Sequence, residues 1–437
     1  MQEKVAIFWF RRDLRLEDNA GLFRALTSGL PVVPIFIFDS EILDKLEDKQ
    51  DARVQFIHQQ IEELHEKLIQ MGSSLHVFNG NPSVVWNSIF ENWSVAEIYT
   101  NRDYEGYALQ RDEKIKEIAN QRGIAFYTEK DQVIFEKNEI LSGTNSPYTV
   151  FTPFSKKWKA TLTQTPFSFY ETEKHFSQFY KSMPKAVPSL AQIGFQPSSL
   201  TLPSKEIPLA IIEKYDETRD IPSIAGTTRL SVHLRFGTIS IRKLVSIALK
   251  TNEKWLNELI WRDFYMYIAY HFPHIHDGKA FRKEYDAIEW RNDEKEFEKW
   301  CKGKTGFPIV DAGMRELNAT GFMHNRVRMI TASFLVKDLL IDWRWGEHYF
   351  AQKLLDFEFA SNNGGWQWAA GSGCDAAPYF RVFNPTSQAQ KFDPAYKYIK
   401  KWIPEWGTPY YPNPMVDHAK ARDRVLAVYQ AALKKEK

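Results

Sequence analysis

The first 130 residues alternate between short apolar runs and longer amphipathic segments, and this alternation constrains the fold more than any other feature. Residues 4–10 (KVAIFWF) and 31–39 (PVVPIFIFD) have the length and hydrophobicity of buried strands. Residues 51–72 have helical periodicity and end at Gly72. Further strands are predicted in SLHVFNG and AEIYTNRD, and further helices in AGLFRALTSG and LQRDEKIKEIANQRG. Residues 1–130 are therefore predicted to form a Rossmann-like α/β domain with an open parallel sheet.

The turn after the first predicted strand argues against one common use of such a sheet. Dinucleotide-binding dehydrogenases carry the pattern G-x-G-x-x-G at this turn, where glycines let the backbone approach a pyrophosphate. Here the turn reads RRDLRLED and contains arginines instead of glycines. A nicotinamide-dependent dehydrogenase is therefore disfavoured.

The rest of the chain changes character twice. Residues 131–208 lose the alternation, and six prolines fall between residues 166 and 208, which indicates a long ordered connector. From about residue 209 the apolar pattern is helical almost throughout. The predicted organisation is an α/β domain (1–130), a connector (131–208) and an all-α domain (209–437).

Composition limits the possible roles of the protein. The net charge is only +2, so nucleic-acid binding would need a local basic patch. The only two cysteines, Cys301 and Cys374, fit neither a disulfide framework nor a zinc site. The sequence has no apolar run of about 18–20 residues, and its start lacks the features of a signal peptide. We expect a protein of the cytosol.

Tryptophan is concentrated in the second half of the chain, where ten of the fourteen tryptophans follow residue 254. Two of them lie in residues 361–370, SNNGGWQWAA, beside two asparagines and two glycines. This run is too polar for a simple core helix and too aromatic for a simple loop. It predicts a surface that faces a ligand.

Residues 251–270 have the pattern of a helix with two distinct faces. One face is apolar and is predicted to be core: Leu256, Ile260, Phe264 and Tyr267. The other combines an acid, an arginine and aromatic rings: Glu258, Trp261, Arg262 and Tyr265. This second face is either a solvated surface with an exposed indole or the wall of a ligand site, in which Trp261 stacks and Glu258 accepts hydrogen bonds from a base edge.

Residues 324–346 repeat this division. Val327, Ile330 and Phe334 are predicted to be core, whereas Asn325, Arg328, Met329 and Ala332 share another face. Arg328 needs an anionic partner, and Asp356 is the candidate.

Residues 225–237 place hydroxyls and an arginine at the predicted start of a helix: Thr227, Thr228, Arg229 and Ser231. Such a helix start suits a pyrophosphate, although a plain threonine cap is the alternative. Two other motifs are set aside. CKGKTG (301–306) has Glu298 where a P-loop needs its first glycine, and HFPHIH (271–276) is predicted to be a proline-broken surface loop rather than a metal site.

Several of these segments together resemble the DNA photolyase/cryptochrome family. The resemblance is carried by WFRRDLRLEDN (9–19), GTTRLSVHLRFG (226–237), WLNELIWRDFY (255–265), residues 303–347, NNGGWQWAAGSGCDAAPYFRVFNP (362–385) and SQAQKFD (387–393). Within the family, the chain is similar to the class I cyclobutane pyrimidine dimer photolyases. The segment MHNRVRM carries this distinction, because Asn325 stands where (6-4) photolyases have a histidine and Met329 is typical of dimer-repairing enzymes.

The resemblance implies an α/β domain that can bind an antenna chromophore and a helical domain that binds FAD and DNA. The implied reaction is light-driven: reduced FAD donates an electron to a pyrimidine dimer in DNA, the cyclobutane ring splits and the electron returns. The protein supplies binding, orientation and electrostatics. No acid–base pair or nucleophile is required. The alternative within the family is a cryptochrome, a blue-light receptor without repair activity.

The resemblance also implies roles for individual residues. The implied FAD contacts are Tyr215, Thr227, Thr228, Arg229, Leu230, Ser231, Trp255, Arg328, Asp356, Glu358 and Asn362. The implied lesion and DNA contacts are Arg219, Glu258, Trp261, Arg262, Asn325, Arg326, Met329, Trp368, Arg381 and Gln388. Glu258, Asn325, Met329 and Asn362 are the implied catalytic residues. Trp290, Trp343 and Trp366 match the electron-transfer triad of the family.

The chain departs from the family pattern at one implied flavin contact and at the folate site of some relatives. Glu358 stands where many relatives have an aspartate. Tyr107 and Ala108 replace an Asn-Glu pair of folate-binding relatives, and His276 and Asp277 replace the cysteine and lysine that complete the folate site. The antenna is therefore a deazaflavin, a flavin or methenyltetrahydrofolate, or is absent. We expect a monomer that acts on DNA containing pyrimidine dimers in the bacterial cytoplasm.

Overall fold

The computed structural model describes residues 3–434, which form two compact units, each assembled from separate stretches of the chain. The first unit contains the described residues up to Glu139, together with Lys159–Glu206 and Leu230–Ile247. The second contains Ile140–Trp158, Ile207–Arg229 and the described residues from Ala248 onward. Residues 131–208, predicted to be a connector, thus contribute to both units.

The first unit is built on a five-stranded parallel sheet, which confirms the predicted fold class. The strands are β1 (Lys4–Phe10), β2 (Val32–Asp39), β3 (His76–Gly80), β4 (Ser94–Asn101) and β5 (Ala125–Glu129). The helices of its first stretch are α1 (Ala20–Leu26), α2 (Ser40–Leu43), α3 (Ala52–Gln70), α4 (Pro82–Asn92) and α5 (Gly106–Asn120). The strand order β3-β2-β1-β4-β5 places the apolar β1 at the centre, where both faces are covered.

The order of the strands reverses between β1 and β4. In open parallel sheets the crevice at such a reversal, at the carboxyl ends of the strands, is the usual place for a ligand. Here this end carries charged and polar side chains that contact one another. The Tyr107 hydroxyl donates to Asp39 at 2.7 Å, Arg111 lies 3.7 Å from Asp39, and Arg11 pairs with Asp112.

The arginine-rich turn after β1 forms a buried ion-pair network within the first unit. Arg15 donates to Asp131 at 2.7 Å, and Arg242 donates to Asp131 at 2.7 Å and to Asp18 at 2.9 Å. Burial alone would raise the pKa of Asp131, but the two guanidinium groups hold it below its ordinary value. These arginines are thus committed to internal carboxylates, which explains why the turn contains arginine where a phosphate-binding turn would contain glycine.

The second half of the chain is helical, as predicted, and the described part of the second unit contains no strand. The remaining helices are α6 (Phe151–Gln164), α7 (Leu209–Glu213), α8 (Tyr215–Thr218), α9 (Ser231–Arg235), α10 (Ile241–Thr251), α11 (Glu253–His271), α12 (Glu294–Cys301), α13 (Pro308–Thr320), α14 (Asn325–Ser333), α15 (Trp343–Lys353), α16 (Phe359–Ala370), α17 (Pro385–Phe392), α18 (Lys397–Trp402) and α19 (His418–Lys434). No helix within residues 3–434 is both long and apolar enough to span a bilayer.

The core of the second unit confirms the predicted apolar faces of α11 and α14. Leu256, Ile260, Phe264 and Tyr267 are buried on α11, and Val327, Ile330 and Phe334 are buried on α14 and directly after it. A single π turn, Phe334–Asp338, continues α14 and carries the buried Lys337. The 3.6-residue periodicity of the sequence was sufficient to identify both faces.

Lys337 and the carboxyl-terminal helix together hold the end of α16. The carbonyl oxygen of Ala370, the last residue of α16, accepts from Lys337 Nζ at 2.9 Å and from the Tyr429 hydroxyl at 2.9 Å. Lys337 Nζ also lies 3.8 Å from the centroid of the Tyr429 ring. Burial lowers the pKa of Lys337 to about 7. Two donors on the last carbonyl fix the end of the helix that carries the SNNGGWQWAA run.

A histidine–aspartate pair anchors the start of α19, and we predict that it makes stability depend on pH. His418 Nδ1 lies 2.5 Å from Oδ1 of the buried Asp338, and this hydrogen bond raises the pKa of His418. A raised pKa gives stability that is complete below the unfolded-state value near 6.5 and is lost as the pH rises through the folded-state value. We expect His418→Gln to be less stable by about 1 kcal/mol at pH 6, and by less at pH 9. Urea denaturation at both pH values measures the difference, and an equal loss at the two would contradict the prediction.

Candidate functional site

The SNNGGWQWAA run forms most of α16, and one face of this helix borders open space. A Cβ atom added at Gly365 would meet no atom within 4 Å, and Asn362 lies one turn earlier on the same face. Gly364 has a different role, because a Cβ there would fall 2.3 Å from the Tyr265 ring of α11. One glycine therefore allows helix packing, and only the other lies where a cofactor could approach the backbone.

The side chain of Asn362 is held by a neighbouring glutamate that the sequence analysis did not identify. Asn362 Nδ2 donates to Glu347 Oε1 at 2.8 Å and to the Glu347 carbonyl oxygen at 3.1 Å. Burial raises the pKa of Glu347, and the hydrogen bond from Asn362 opposes this effect. The amide nitrogen of Asn362 is therefore fixed on Glu347, on the helix face that also carries Gly365.

Trp261 on α11 is neither fully exposed nor buried, and one face of its indole is covered. The Phe151 ring stacks on it with a centroid distance of 3.8 Å and an interplanar angle of 4°. The Tyr265 ring lies 5.4 Å away. Phe151 belongs to the stretch predicted to be a connector. Phe151 therefore covers one face of the indole and restricts its orientation.

Two arginine–carboxylate pairs flank the start of α16. Arg328 NH2 contacts both carboxylate oxygens of Asp356 at 3.0 and 3.1 Å, which is the predicted pairing. Arg328 Nε also donates to the Met323 carbonyl at 2.8 Å. Arg262 NH2 donates to the buried Glu358 at 3.1 Å. Arg262, an implied lesion or DNA contact, is thus paired with Glu358, an implied FAD contact.

Two further arginine–carboxylate pairs lie at the predicted DNA contacts. Arg219 NH1 lies 2.5 Å from Glu258 Oε1, and Arg326 donates to Asp220 Oδ1 through Nε and NH2 at 3.1 and 2.7 Å. Burial raises the pKa of Glu258, and Arg219 opposes this effect. Asp220 was not identified from the sequence, because a single acid after a short helix has no distinguishing pattern.

The other implied lesion and DNA contacts lie on α14, at the end of α16 and beyond it. Asn325 is exposed as the first residue of α14, and Met329 is half-buried one turn later. Trp368 is half-buried and borders a cleft whose lining includes Lys337, Arg381 and Phe383. Arg381 is exposed, and Gln388 is half-buried on α17.

The loop implied to contact the FAD phosphates includes a residue with unusual backbone geometry. Arg229 is exposed, has a φ of +54° and places its guanidinium 4.3 Å from the centroid of the Phe322 ring. Thr227 and Thr228 precede it and are half-buried. Helix α9 begins only at Ser231, and its cap residue is Leu230, so a threonine does not cap it. Leu230 and Ser231 belong to the first unit.

Two aromatic residues implied to contact FAD lie in the first turns of two helices, α8 and α11. Tyr215 begins α8, is half-buried and has the Arg219 guanidinium 5.4 Å from its ring centroid. Trp255 is buried in the first turn of α11, which is capped by Asn252.

The three tryptophans of the implied triad belong to one hydrophobic cluster of the second unit. Trp343 and Trp366 are buried in this cluster, and the half-buried Trp290 packs against it. The ring neighbours of Trp366 include Phe350 at 5.0 Å and Trp300 at 6.0 Å. The sequence analysis did not single out Trp300, whose burial gives no signal that separates it from other core residues.

Gly346 provides the space that Trp366 fills, and we predict that alanine at this position displaces the indole. A Cβ at residue 346 would lie 2.1 Å from Trp366 Cη2, far inside van der Waals contact. We expect Gly346→Ala to be destabilised by about 1–3 kcal/mol through overpacking. Thermal unfolding measures the loss. Gly143→Ala is the matched control, because a Cβ there meets no atom within 4 Å. Equal stability of the two variants would contradict the predicted clash.

The two motifs that the sequence analysis set aside, CKGKTG and HFPHIH, form a turn and a short helix in the structure. The Thr305–Gly306 turn is held by the buried Asp311, which accepts from both backbone amides and from the Tyr411 hydroxyl. The HFPHIH segment forms a short 3₁₀ helix, Pro273–Asp277, rather than an irregular loop. Residues 3–434 contain no group of three or more His, Cys, Asp or Glu side chains that could hold a metal ion.

Comparison with known proteins identifies the family. Residues 6–171 match the family profile described as DNA photolyase, and residues 255–409 match the FAD binding domain of DNA photolyase. A deoxyribodipyrimidine photo-lyase of Synechococcus is 37% identical, covering 97% of this chain and 96% of the relative, and one of Vibrio cholerae is 35% identical, covering 98% and 100%. The chain is a member of the DNA photolyase family.

Solved structures agree with this assignment. The crystal structure of a bacterial class III photolyase from Agrobacterium tumefaciens has a TM-score of 0.85 and 31% identity over 99% of this chain and 98% of that one. An archaeal photolyase from Sulfolobus tokodaii, solved with two FAD molecules, has a TM-score of 0.82 and 36% identity, covering 98% and 99%. A cryptochrome from Synechocystis has a TM-score of 0.84 and 27% identity, covering 98% and 99%.

The residues present in the second unit fit FAD, the cofactor of this family. The open space beside Gly365 is bordered by a helix face without formal charge, and Asn362 on that face is oriented by Glu347. Asp356, the partner of Arg328, lies three residues before the start of the same helix. A helix face without formal charge that borders open space and carries an amide side chain suits an isoalloxazine ring better than it suits a phosphate or a metal ion.

Proposed function

We propose that this protein repairs cyclobutane pyrimidine dimers in DNA by light-driven electron transfer from reduced FAD. The observation that carries the proposal is the similarity to the Synechococcus deoxyribodipyrimidine photo-lyase along nearly the full length of both chains. When bound, FAD supplies the electron that splits the dimer and accepts it back. The protein residues bind, orient and exclude water.

The geometry supports separate roles for the side chains that contact the dimer or DNA and for those that contact the flavin. Trp261, held by Phe151, and Trp368 provide aromatic surfaces for the flipped dimer, and flipping exposes a lesion that is otherwise inside the duplex. Glu258, Asn325 and Met329 contact the dimer. Arg326, Arg381 and Gln388 contact the DNA, together with Arg219 once it leaves Glu258.

A second group of residues serves the flavin. Asn362 orients its amide towards the isoalloxazine, and Glu347 and Arg262 act as positioning residues, the latter through Glu358. Tyr215, Thr227, Thr228, Arg229, Leu230, Ser231 and Trp255 contact other parts of FAD. Trp290, Trp343 and Trp366 carry electrons to oxidised flavin.

The decisive experiment compares repair in light and darkness. The flavin-loaded protein is mixed with an oligonucleotide that contains one thymine dimer, and restored thymines are counted after equal times in blue light and in darkness. We expect repair in light alone. Equal and negligible repair under both conditions, with flavin bound, would favour the alternative function, a blue-light receptor of the cryptochrome type.

We further propose a second chromophore in the first unit, a deazaflavin, a flavin or methenyltetrahydrofolate, at the carboxyl ends of β1 and β4, where the strand order reverses. The archaeal relative solved with two FAD molecules supports this idea. The absorption spectrum of the pigment released from the purified protein identifies the chromophore. We also propose that the protein acts as a monomer in the bacterial cytoplasm, associated with the nucleoid when bound to DNA.

A further inference from the structure

The two arginines proposed to contact DNA at α8 and α14 are each neutralised by a carboxylate. Arg219 pairs with Glu258 at 2.5 Å, and Arg326 pairs with Asp220 at 2.7 Å. Asp220 directly follows Arg219 in the chain, so the four groups form one cluster with no net charge. This cluster is described below as the Asp220 cluster.

Arg326 is held on three sides. Asp220 accepts from its Nε and NH2 groups, the Phe392 ring centroid lies 4.4 Å from its guanidinium carbon, and the Met329 sulfur lies 3.7 Å from NH1. The aromatic ring and the sulfur already restrict the guanidinium. Asp220 therefore adds mainly a negative charge.

The negative charge of Asp220 has a predictable effect on DNA. Its side chain is 45% exposed, compared with 20% for Arg326, so it is accessible to an approaching phosphate backbone. Phosphate attraction is independent of sequence and of damage, and it scales with the cationic side chains that displace counterions. An arginine already paired with a carboxylate contributes less to this attraction.

We propose, on the basis of the proposed function, that Asp220 is a specificity-determining residue that weakens binding to undamaged DNA more than binding to dimer-containing DNA. Undamaged duplex gains only the phosphate contact and must compete with Asp220 for Arg326. A flipped dimer engages Glu258 and releases Arg219, which is next to Asp220 in the chain and offers it another cation, so the dimer complex loses less when Arg326 turns to a phosphate. The carboxylate thus lowers the background affinity.

Asp220→Asn tests this inference, because asparagine keeps the size and the acceptor oxygen but removes the charge. Dissociation constants are measured in darkness by fluorescence anisotropy on two duplexes of identical sequence, one with a single thymine dimer, at several NaCl concentrations. We expect affinity for undamaged DNA to rise about tenfold and affinity for the dimer duplex about threefold or less. The slope of log K against log salt on undamaged DNA should steepen by about 0.9, as for one additional phosphate contact.

Glu217→Gln is the matched control, because it removes one exposed negative charge two positions after the start of the same short helix. We expect it to change both affinities equally and slightly. The proposal would be overturned if Asp220→Asn raised the affinity for both duplexes by the same factor. It would also be overturned if Glu217→Gln reduced the discrimination between damaged and undamaged duplex as much as Asp220→Asn does. Weaker binding of Asp220→Asn to both duplexes would also overturn it, since Asp220 would then only position Arg326. If the unmodified protein itself fails to discriminate between the duplexes, the proposed function is at fault.

Discussion

Replacement of Trp366 by phenylalanine is expected to block photoreduction of oxidised flavin while leaving repair intact when the flavin is reduced chemically. Phenylalanine preserves most of the packing against Gly346 and Phe350, but its ring is far harder to oxidise than an indole. We expect photoreduction to slow by at least about a hundredfold, which corresponds to about 2.7 kcal/mol of added barrier. Absorbance of the oxidised flavin under blue light with an external reductant measures this rate.

Trp300→Phe is the control for this experiment. Trp300 is fully buried, lies 6.0 Å from Trp366 and would undergo the same chemical change, yet it is not part of the implied triad. We expect its photoreduction rate to stay within a small factor of that of the unmodified protein. A block in Trp300→Phe would redirect the electron path through that residue, and loss of repair by chemically reduced Trp366→Phe would assign Trp366 a different role.

Asp356→Ala is expected to release the flavin. The carboxylate holds the Arg328 guanidinium with two contacts, and removing it would leave a largely buried cation with the Met323 carbonyl and the Phe322 ring as its neighbours but no opposite charge from Asp356. Breaking one side of a buried pair is strongly destabilising, although the partial exposure of Arg328 reduces the loss to about 2 kcal/mol. We expect flavin affinity to fall by about tenfold or more, which corresponds to about 1.4 kcal/mol.

The ratio of flavin to protein absorbance after gel filtration measures this effect, with stability followed by thermal unfolding. Glu294→Ala, which removes an exposed carboxylate from the first turn of α12, serves as the control. Retention of stoichiometric flavin by folded Asp356→Ala would show that the pair supports the helices alone.

The elements with a regular hydrophobic periodicity were predictable from the sequence, whereas the elements that depend on contacts between distant residues were not. Strands β1 and β2 and helix α3 follow from hydrophobic periodicity, and both apolar faces of α11 and α14 follow from the 3.6-residue repeat. Strand β5 and helix α4 were not predicted, because each is short and lacks a clear pattern. Residues 131–208 were interpreted as a connector, although they contain helix α6 and contribute to both units.

The same contrast between local sequence patterns and distant contacts applies to the candidate site. The resemblance indicated Asn362, Arg328 and Asp356 by motif, and the Arg328–Asp356 pair is present as predicted. The sequence did not indicate Phe151, Glu347 or Asp220, because each of them contacts a site residue that is distant in the sequence. The pairing of Arg262 with Glu358 was not predicted either, because the two residues lie 96 positions apart in the sequence.

The contact between Gly364 and Tyr265 has a consequence for how this family could adapt to other lesions. Since a Cβ at residue 364 would fall 2.3 Å from the Tyr265 ring, the backbones of α11 and α16 approach as closely as side-chain volume permits. Trp261 and Trp368 are carried by these two helices, so the distance between the helices at Gly364 also affects the spacing of the two tryptophans. Under the lesion contacts proposed for these tryptophans, a relative that admits a bulkier photoproduct is expected to carry a larger residue at position 364, with both tryptophans unchanged.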